Sequence, residues 1–229
     1  MVPIVVGFDL DLTLVDSRPG IVATYRALSA RTGVYIDADS TATRLGPPLD
    51  VELALWFPAG DVAPAANQFR EIYRDFAITT SPALPGATEA FAAVRARGGT
   101  VVVITGKYEP NARRHLDHLG LDADAVVGWA WADGKVSALE EHGATVYVGD
   151  HPADMAAARA ARLAAPPPPS GPRSQLDRVG AAAVGVGTGE HSVEELIAGG
   201  ADVVLPDLTY FPAWLDEYLA AAAALPGRS

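Results

Sequence analysis

Asp9 and Asp11 stand two residues apart at the end of the apolar run Val6-Gly-Phe-Asp-Leu-Asp-Leu-Thr-Leu14. On an extended chain, side chains repeat every two residues and rise about 3.3 Å per residue, so the two carboxyls fall on one side, about 6.6 Å of chain apart. A free Asp, with a pKa of about 3.9, is ionised at neutral pH and can attack phosphorus without a base to activate it. A second carboxyl within reach can protonate the leaving oxygen, then act as base for the water that opens the acyl-phosphate. The same pair also suits a turn that closes a strand. Three further segments bear on that choice.

Val101-Val-Val-Ile-Thr-Gly-Lys107 is a second apolar run, ending in a hydroxyl, a glycine and a cation. Thr105 and the backbone N–H groups near Gly106 suit phosphoryl oxygens, with charge from Lys107 or from Lys135; a strand followed by Thr-Gly is also a routine turn. Lys135, in Ala132-Asp-Gly-Lys-Val136, either reaches back to the strand ends or is a solvent-exposed lysine at a helix start. Thr145-Val-Tyr-Val-Gly-Asp-His-Pro-Ala-Asp154 ends a third apolar run with two carboxylates. Mg²⁺ takes oxygen ligands and keeps several waters, so Asp9, the Asp11 carbonyl and Asp150 could form a partial shell, with Asp154 binding or orienting a water. Asp154 is equally an ordinary acidic residue in the first turn of a helix. Asp150, at the end of so apolar a strand, needs a partner. His115 and His118 sit among Arg113, Arg114 and Asp117 and read as a solvated face, His151 borders the proposed site, and Trp129 and Trp131 read as packing residues.

Side chains that converge in this way need strands to deliver them. Apolar, β-branched runs recur at Pro3 to Phe8, Val101 to Ile104, Ala125 to Val127, Thr145 to Val148, Ala182 to Val186 and Asp202 to Leu205. Helix-like stretches separate most of them, which predicts an α/β fold: a parallel sheet with helices on both faces. Gly98-Gly99 and Gly120 limit two of the helices, and Ser192-Val-Glu-Glu195 reads as a capping box that opens another. Between Asp16 and Pro85 the strand rhythm gives way to helices at Gly20 to Thr32, Leu49 to Trp56 and Ala63 to Ala77. The expected organisation is a core of residues 1–15 and 86–229 with a helical cap, 16–85, hinged over the Asp pair; the alternative is that these are ordinary peripheral helices of one domain. Four consecutive prolines mark 164–178 as an exposed excursion, either a loop or a polyproline recognition segment for an unidentified protein partner.

The chain has 229 residues, 49% of them hydrophobic, enough for a full core. It has no Cys, which excludes disulfides, thiolate metal sites and Cys nucleophiles. A formal charge of −11, with 17 scattered Lys and Arg, argues against nucleic acid and anionic lipid as partners. The same charge repels a phosphorylated substrate, so an anionic ligand requires a bound cation and local positive groups. The N-terminus lacks a basic leader and no apolar run reaches membrane-spanning length, so a cytoplasmic setting without a membrane is expected.

In order and context, Asp9-Leu-Asp-Leu-Thr13, Thr105-Gly106, Lys135 and Gly149-Asp150 to Asp154 resemble the four motifs of the haloacid dehalogenase-like hydrolase superfamily, over nearly the whole chain. The chain looks most like the phosphoglycolate phosphatase-like group, and its insertion resembles that family's helical class 1 cap. The resemblance implies a Rossmann-like core, with Asp9 as nucleophile, Asp11 as general acid/base, Thr105 on a phosphoryl oxygen, Lys135 steadying the intermediate, and Asp150 with Asp154 serving Mg²⁺. The implied activity is phosphatase action on a small phosphorylated metabolite through an aspartyl-phosphate. A phosphomutase, or a binding protein that keeps the fold without turnover, would retain the same residues; a dehalogenase would not need Asp11. Phosphatases of the group usually have Gly where Leu12 stands, commonly Asn or Ser at Gly106, and often Pro at Val136.

Overall fold

A computed structural model describes residues 4–163 and 180–224. The proline-rich excursion at 164–178 lies outside the described residues. Among the described residues, six strands form one parallel sheet: β1 (Val5–Phe8), β2 (Thr100–Ile104), β3 (Ala125–Val127), β4 (Val146–Gly149), β5 (Ala182–Val186) and β6 (Val203–Leu205). Their spatial order is β3-β2-β1-β4-β5-β6. Chain order reverses at β1, so the crevice beyond its carboxyl end is where an open α/β sheet binds ligands.

The predicted parallel sheet follows from two-sided burial. In β2, Val101 and Val103 enter one apolar layer with Phe8 and Phe91, whereas Val102 and Ile104 enter the other with Tyr147 and Met155. A strand buried on both faces must be apolar throughout, which is why these runs lack alternation. Helices α5 (Ala87–Ala96) and α10 (Phe211–Ala224) cover the first face, and α7 (Asp133–His142) and α8 (Pro152–Ala160) the second. Helix α6 (Glu109–Leu119) leads from β2 to β3, and α9 (Val193–Gly199) opens with the expected Ser192–Glu195 capping box. Helix α10 has no counterpart in the sequence expectations: its second half, Ala220 to Ala224, shows no apolar periodicity. Its first half supplies Phe211, whose ring lies 5.3 Å from that of Phe8.

Residues 16–85 form α1 (Arg18–Thr32), α2 (Ala38–Thr41), α3 (Leu49–Leu53) and α4 (Val62–Phe76) around a separate buried cluster that includes Tyr25, Leu28, Leu53 and Ile72. Helix α3 stops three residues short of the expected Trp56, and the chain continues as turns. The ends of this segment run side by side. Val15 and Ala83 form an antiparallel bridge, Asp16 N donates to Pro82 O at 2.9 Å and Leu84 N to Leu14 O at 2.9 Å. The segment therefore leaves and re-enters the core through one two-stranded ribbon beside Asp11. Among the described residues, no helix is long and apolar enough to cross a membrane.

Candidate active site

The register of the central strands sets the site. Phe8 pairs with Val103 on one side and Val148 on the other, so the residues that follow these strands come out beside one another. Asp9 leaves β1, Thr105 leaves β2 and Asp150 leaves β4, all buried. Asp9, Asp150 and Asp154 each offer an oxygen within 4.8 Å of the others. Glycines permit this crowding: a Cβ at Gly149 would run into the Asp154 carboxylate, and one at Gly189 into that of Asp150.

Lys135 lies in the first turn of α7 and is 2% exposed, so of its two sequence readings the one that reaches the strand ends is observed. Its Nζ is 3.1 Å from Asp9 Oδ1 and 2.5 Å from Asp154 Oδ1. Asp154 takes the first-turn position read for it and also meets Lys135. One oxygen accepts from His151 N at 3.2 Å in the capping box of α8, and the other holds Lys135. Thr13 Oγ1 donates to Asp150 Oδ1 at 3.1 Å, a positioning contact that the strand pattern alone gave no reason to expect.

Three buried carboxylates share one ammonium, and the imbalance shows in their acidities. Burial pushes Asp9 up to about 7 against the pull of Lys135, with Asp154 and Asp11 adding to the rise. Burial, then Asp9 and Asp154, raise Asp150 well above the usual range. Burial alone would depress Lys135, but Asp154 and Asp9 hold it well above its ordinary value. Asp9 Oδ1 is buried without a well-formed hydrogen bond. Surplus negative charge and an oxygen-only donor set fit a hard divalent cation such as Mg²⁺.

The Asp11 side chain turns away from this cluster. Its Oδ1 is 2.9 Å from Lys107 Nζ, which leaves its carbonyl for the expected metal contact. Burial would raise its pKa, but Lys107 and the Ser17 hydroxyl outweigh burial and hold it below the ordinary value. Lys107, left open by the sequence, thus belongs to the site; its Nζ also lies 4.6 Å over the Tyr73 ring of α4. The Tyr73 hydroxyl is 2.7 Å from His115 Nε2. This corrects the solvated reading of His115: the residue is fully buried on the inner face of α6, and burial, then Lys107, push its pKa down to about 3, so it is neutral. Only His118 keeps the exposed position.

A cavity of about 310 Å³ opens over the cluster, walled on one side by Thr105, Gly106, Trp129 and Trp131 and on the other by Arg44 and Tyr73 of the helical segment 16–85. The tryptophans are therefore cavity walls rather than core packing, and Trp129 is 63% exposed. Arg44 is half-exposed and paired with Glu52, its Nη2 lying 2.6 Å from Glu52 Oε1. A Cβ at Gly106 would meet nothing closer than 3.6 Å, so sterics do not impose glycine there. Leu12 is different. Its φ of +56° is left-handed, a conformation glycine adopts freely and leucine only at a cost of about 1–2 kcal/mol. Its buried side chain offsets that cost, since deleting a buried leucine typically loses about 2–5 kcal/mol. Leu12→Gly is therefore expected to lower stability by about 1–3 kcal/mol in urea unfolding, even though glycine suits the backbone.

The haloacid dehalogenase-like hydrolase family matches residues 6–159. The chain is 32% identical over 135 residues to the tyrosine-protein kinase PtkA of Mycobacterium tuberculosis, a match covering 58% of this chain and 46% of that one, so the chain spans about half the length of that relative. It is 32% identical over 181 residues to the phosphoglycolate phosphatase of Xylella fastidiosa, covering 70% of this chain and 78% of the relative. A solved haloacid dehalogenase-like hydrolase from Bacteroides fragilis superposes with a TM-score of 0.73 at 20% identity, over 90% of this chain and 98% of that one, and so shares the fold.

Proposed function

The chain belongs to the haloacid dehalogenase-like hydrolase family, and from that premise we propose that it is a Mg²⁺-dependent phosphatase that hydrolyses a small phosphate monoester through an aspartyl-phosphate at Asp9. The observation that carries this reading is the meeting of Asp9, Asp150 and Asp154 within 4.8 Å, with the Lys135 ammonium facing Asp9 and Asp154. The phosphatase name of the Xylella relative supports it.

In this reading Asp9 and Asp150, with the Asp11 carbonyl, hold the metal, and Asp154 orients it or a bound water. When bound, Mg²⁺ neutralises the carboxylates and stabilises charge that develops on the phosphoryl oxygens. Thr105 and the backbone beside Gly106 receive those oxygens. One Asp9 oxygen attacks phosphorus, the bond to the leaving oxygen breaks, and Asp11 gives that oxygen a proton. Asp11 then takes a proton from water, the water oxygen bonds to phosphorus, and the acyl-phosphate bond between the Asp9 oxygen and phosphorus breaks, releasing phosphate and regenerating the Asp9 carboxylate. Lys135 draws Asp9 toward its ionised form before attack, with the metal's charge adding to that pull, and balances the acyl-phosphate afterwards. With Lys107 holding Asp11 ionised, the resting site is set for the second half. The first half needs a proton brought with the substrate, whose second phosphate ionisation lies near pH 6.

Phosphate release from a panel of small monoesters, with Mg²⁺ and with a chelator, tests the reading. Turnover is expected with the metal and a loss of at least about 100-fold without it. Equal rates under both conditions would rule out the metal's role, and no release from any ester would rule out the phosphatase.

A further inference from the structure

Resting on the phosphatase reading, we propose that the site selects phosphate esters whose leaving group presents a planar, uncharged ring, and rejects esters that carry a carboxylate. Charge pairing is the first support. The cavity lining contains four cations, and each already faces a carboxylate: Lys135 meets Asp9 and Asp154, Lys107 meets Asp11, Arg44 meets Glu52 at 2.6 Å, and Arg70 meets Asp50 at 3.4 Å. Lys135 and Lys107 belong to the phosphate end. At the far end a substrate carboxylate would find Arg44 and Arg70 engaged, with Glu52 and Asp50 beside them, and would be desolvated against like charge.

The aromatic wall is the second support. Tyr108 and Trp129 stand with ring centroids 5.7 Å apart at the cavity's edge, and the Arg70 guanidinium lies 5.9 Å from the first and 5.3 Å from the second. Trp131 stands deeper, its ring 5.3 Å from that of His151. Trp129 is held outward at a conformational cost: its φ is +55°, a strained value for a bulky residue, and two backbone bonds pin the turn, Trp129 N to Lys107 O and Ala130 N to Thr105 O, both 2.9 Å. Those bonds tie the indole's position to the strand end that carries Thr105. Gly106 lies between the phosphate end and this wall, where a Cβ would stand 3.7 Å from Trp131 Cε3, an ordinary contact distance. An exposed indole and phenol with a cation above them form a stacking platform that tolerates different rings. The cavity, about 310 Å³, is of a size to take one ring and a short linker beyond the phosphate.

The test compares kcat/KM with Mg²⁺ on uridine 5′-monophosphate, phenyl phosphate, glycerol 3-phosphate and 2-phosphoglycolate. The first two separate a ring borne on a sugar from a ring borne directly on the phosphate. At least one ring ester is expected to exceed 2-phosphoglycolate by about 100-fold. Trp129→Ala, at an exposed position where folding is not at stake, is expected to lower the ring-to-glycerol ratio at least tenfold. Glu52→Gln, which frees Arg44 and keeps an acceptor for Trp56 Nε1, is expected to raise the ratio of 2-phosphoglycolate to glycerol 3-phosphate. If 2-phosphoglycolate matches or exceeds both ring esters, or Trp129→Ala lowers all four substrates equally, the selectivity is overturned and the phosphatase stands. Release from none of the four overturns the phosphatase reading, and the selectivity with it.

Discussion

Asp9→Asn is expected to abolish phosphate release and, in protein freed of divalent cations, to raise stability. The amide cannot form the acyl-phosphate, so the loss in kcat is expected to reach at least about 10⁴-fold, the scale seen when a nucleophile is removed from a unit that acts together. The stability gain follows from the crowding of charge. Burial sets the Asp9 pKa near 7 in the folded chain, against 3.8 for an unperturbed carboxyl. Between those values the folded state binds more protons than the unfolded one, so the metal-free wild type loses stability as pH rises from about 4 to about 7. Asn removes that dependence and one buried charge, for a gain of roughly 1–4 kcal/mol at pH 7.5. Urea unfolding of both proteins at pH 5.5 and 7.5 with a chelator measures it, and Mg²⁺ should then stabilise the wild type more than the variant. A variant that loses stability at pH 7.5, or keeps its activity, contradicts the assignment of Asp9.

Lys135→Met should fail in both respects. Met replaces the stem in volume but removes the ammonium that faces Asp9 and Asp154, leaving three carboxylates buried without a cation. Removing one partner of a buried ion pair costs about 3–5 kcal/mol. Turnover should fall by about 10²–10⁴-fold, since the charge also balances the transferring phosphoryl group. Adding Asp9→Asn to this variant should restore part of the lost stability, because the second change removes a charge the first left unpaired. Strict additivity in urea unfolding would mean that Lys135 and Asp9 do not interact.

The contrast between Asp9 and His115 shows what the sequence could carry. Asp9, Thr105 and Asp150 were legible because each follows an apolar run, and parallel register brings strand ends together whatever lies between them. The six strands could be read for the same reason. His115 could not, because its burial depends on α4 lying across α6 and supplying the Tyr73 hydroxyl, a contact between residues 42 positions apart. The cavity-wall position of Trp129 rests on a left-handed turn that no local pattern marks, and α10 was hidden by alanines. Leu12 reversed its apparent meaning. Where the group usually has glycine, its φ of +56° is the conformation glycine would supply, reached here by a residue whose side chain is buried at the cavity.

The ribbon at Val15 and Ala83 has a consequence for how this protein can change. Because its two strands are adjacent and hydrogen-bonded, everything from about residue 17 to residue 81 hangs from the core as an excursion whose ends already meet. Such a segment can be excised to a short turn or exchanged for another of different length without moving β1 or the residues that follow it. A change of cassette at this one hairpin would replace the Arg44–Glu52 and Arg70–Asp50 pairs on one side of the cavity, while Tyr108, Trp129, Trp131 and the strand-end carboxylates stay in register.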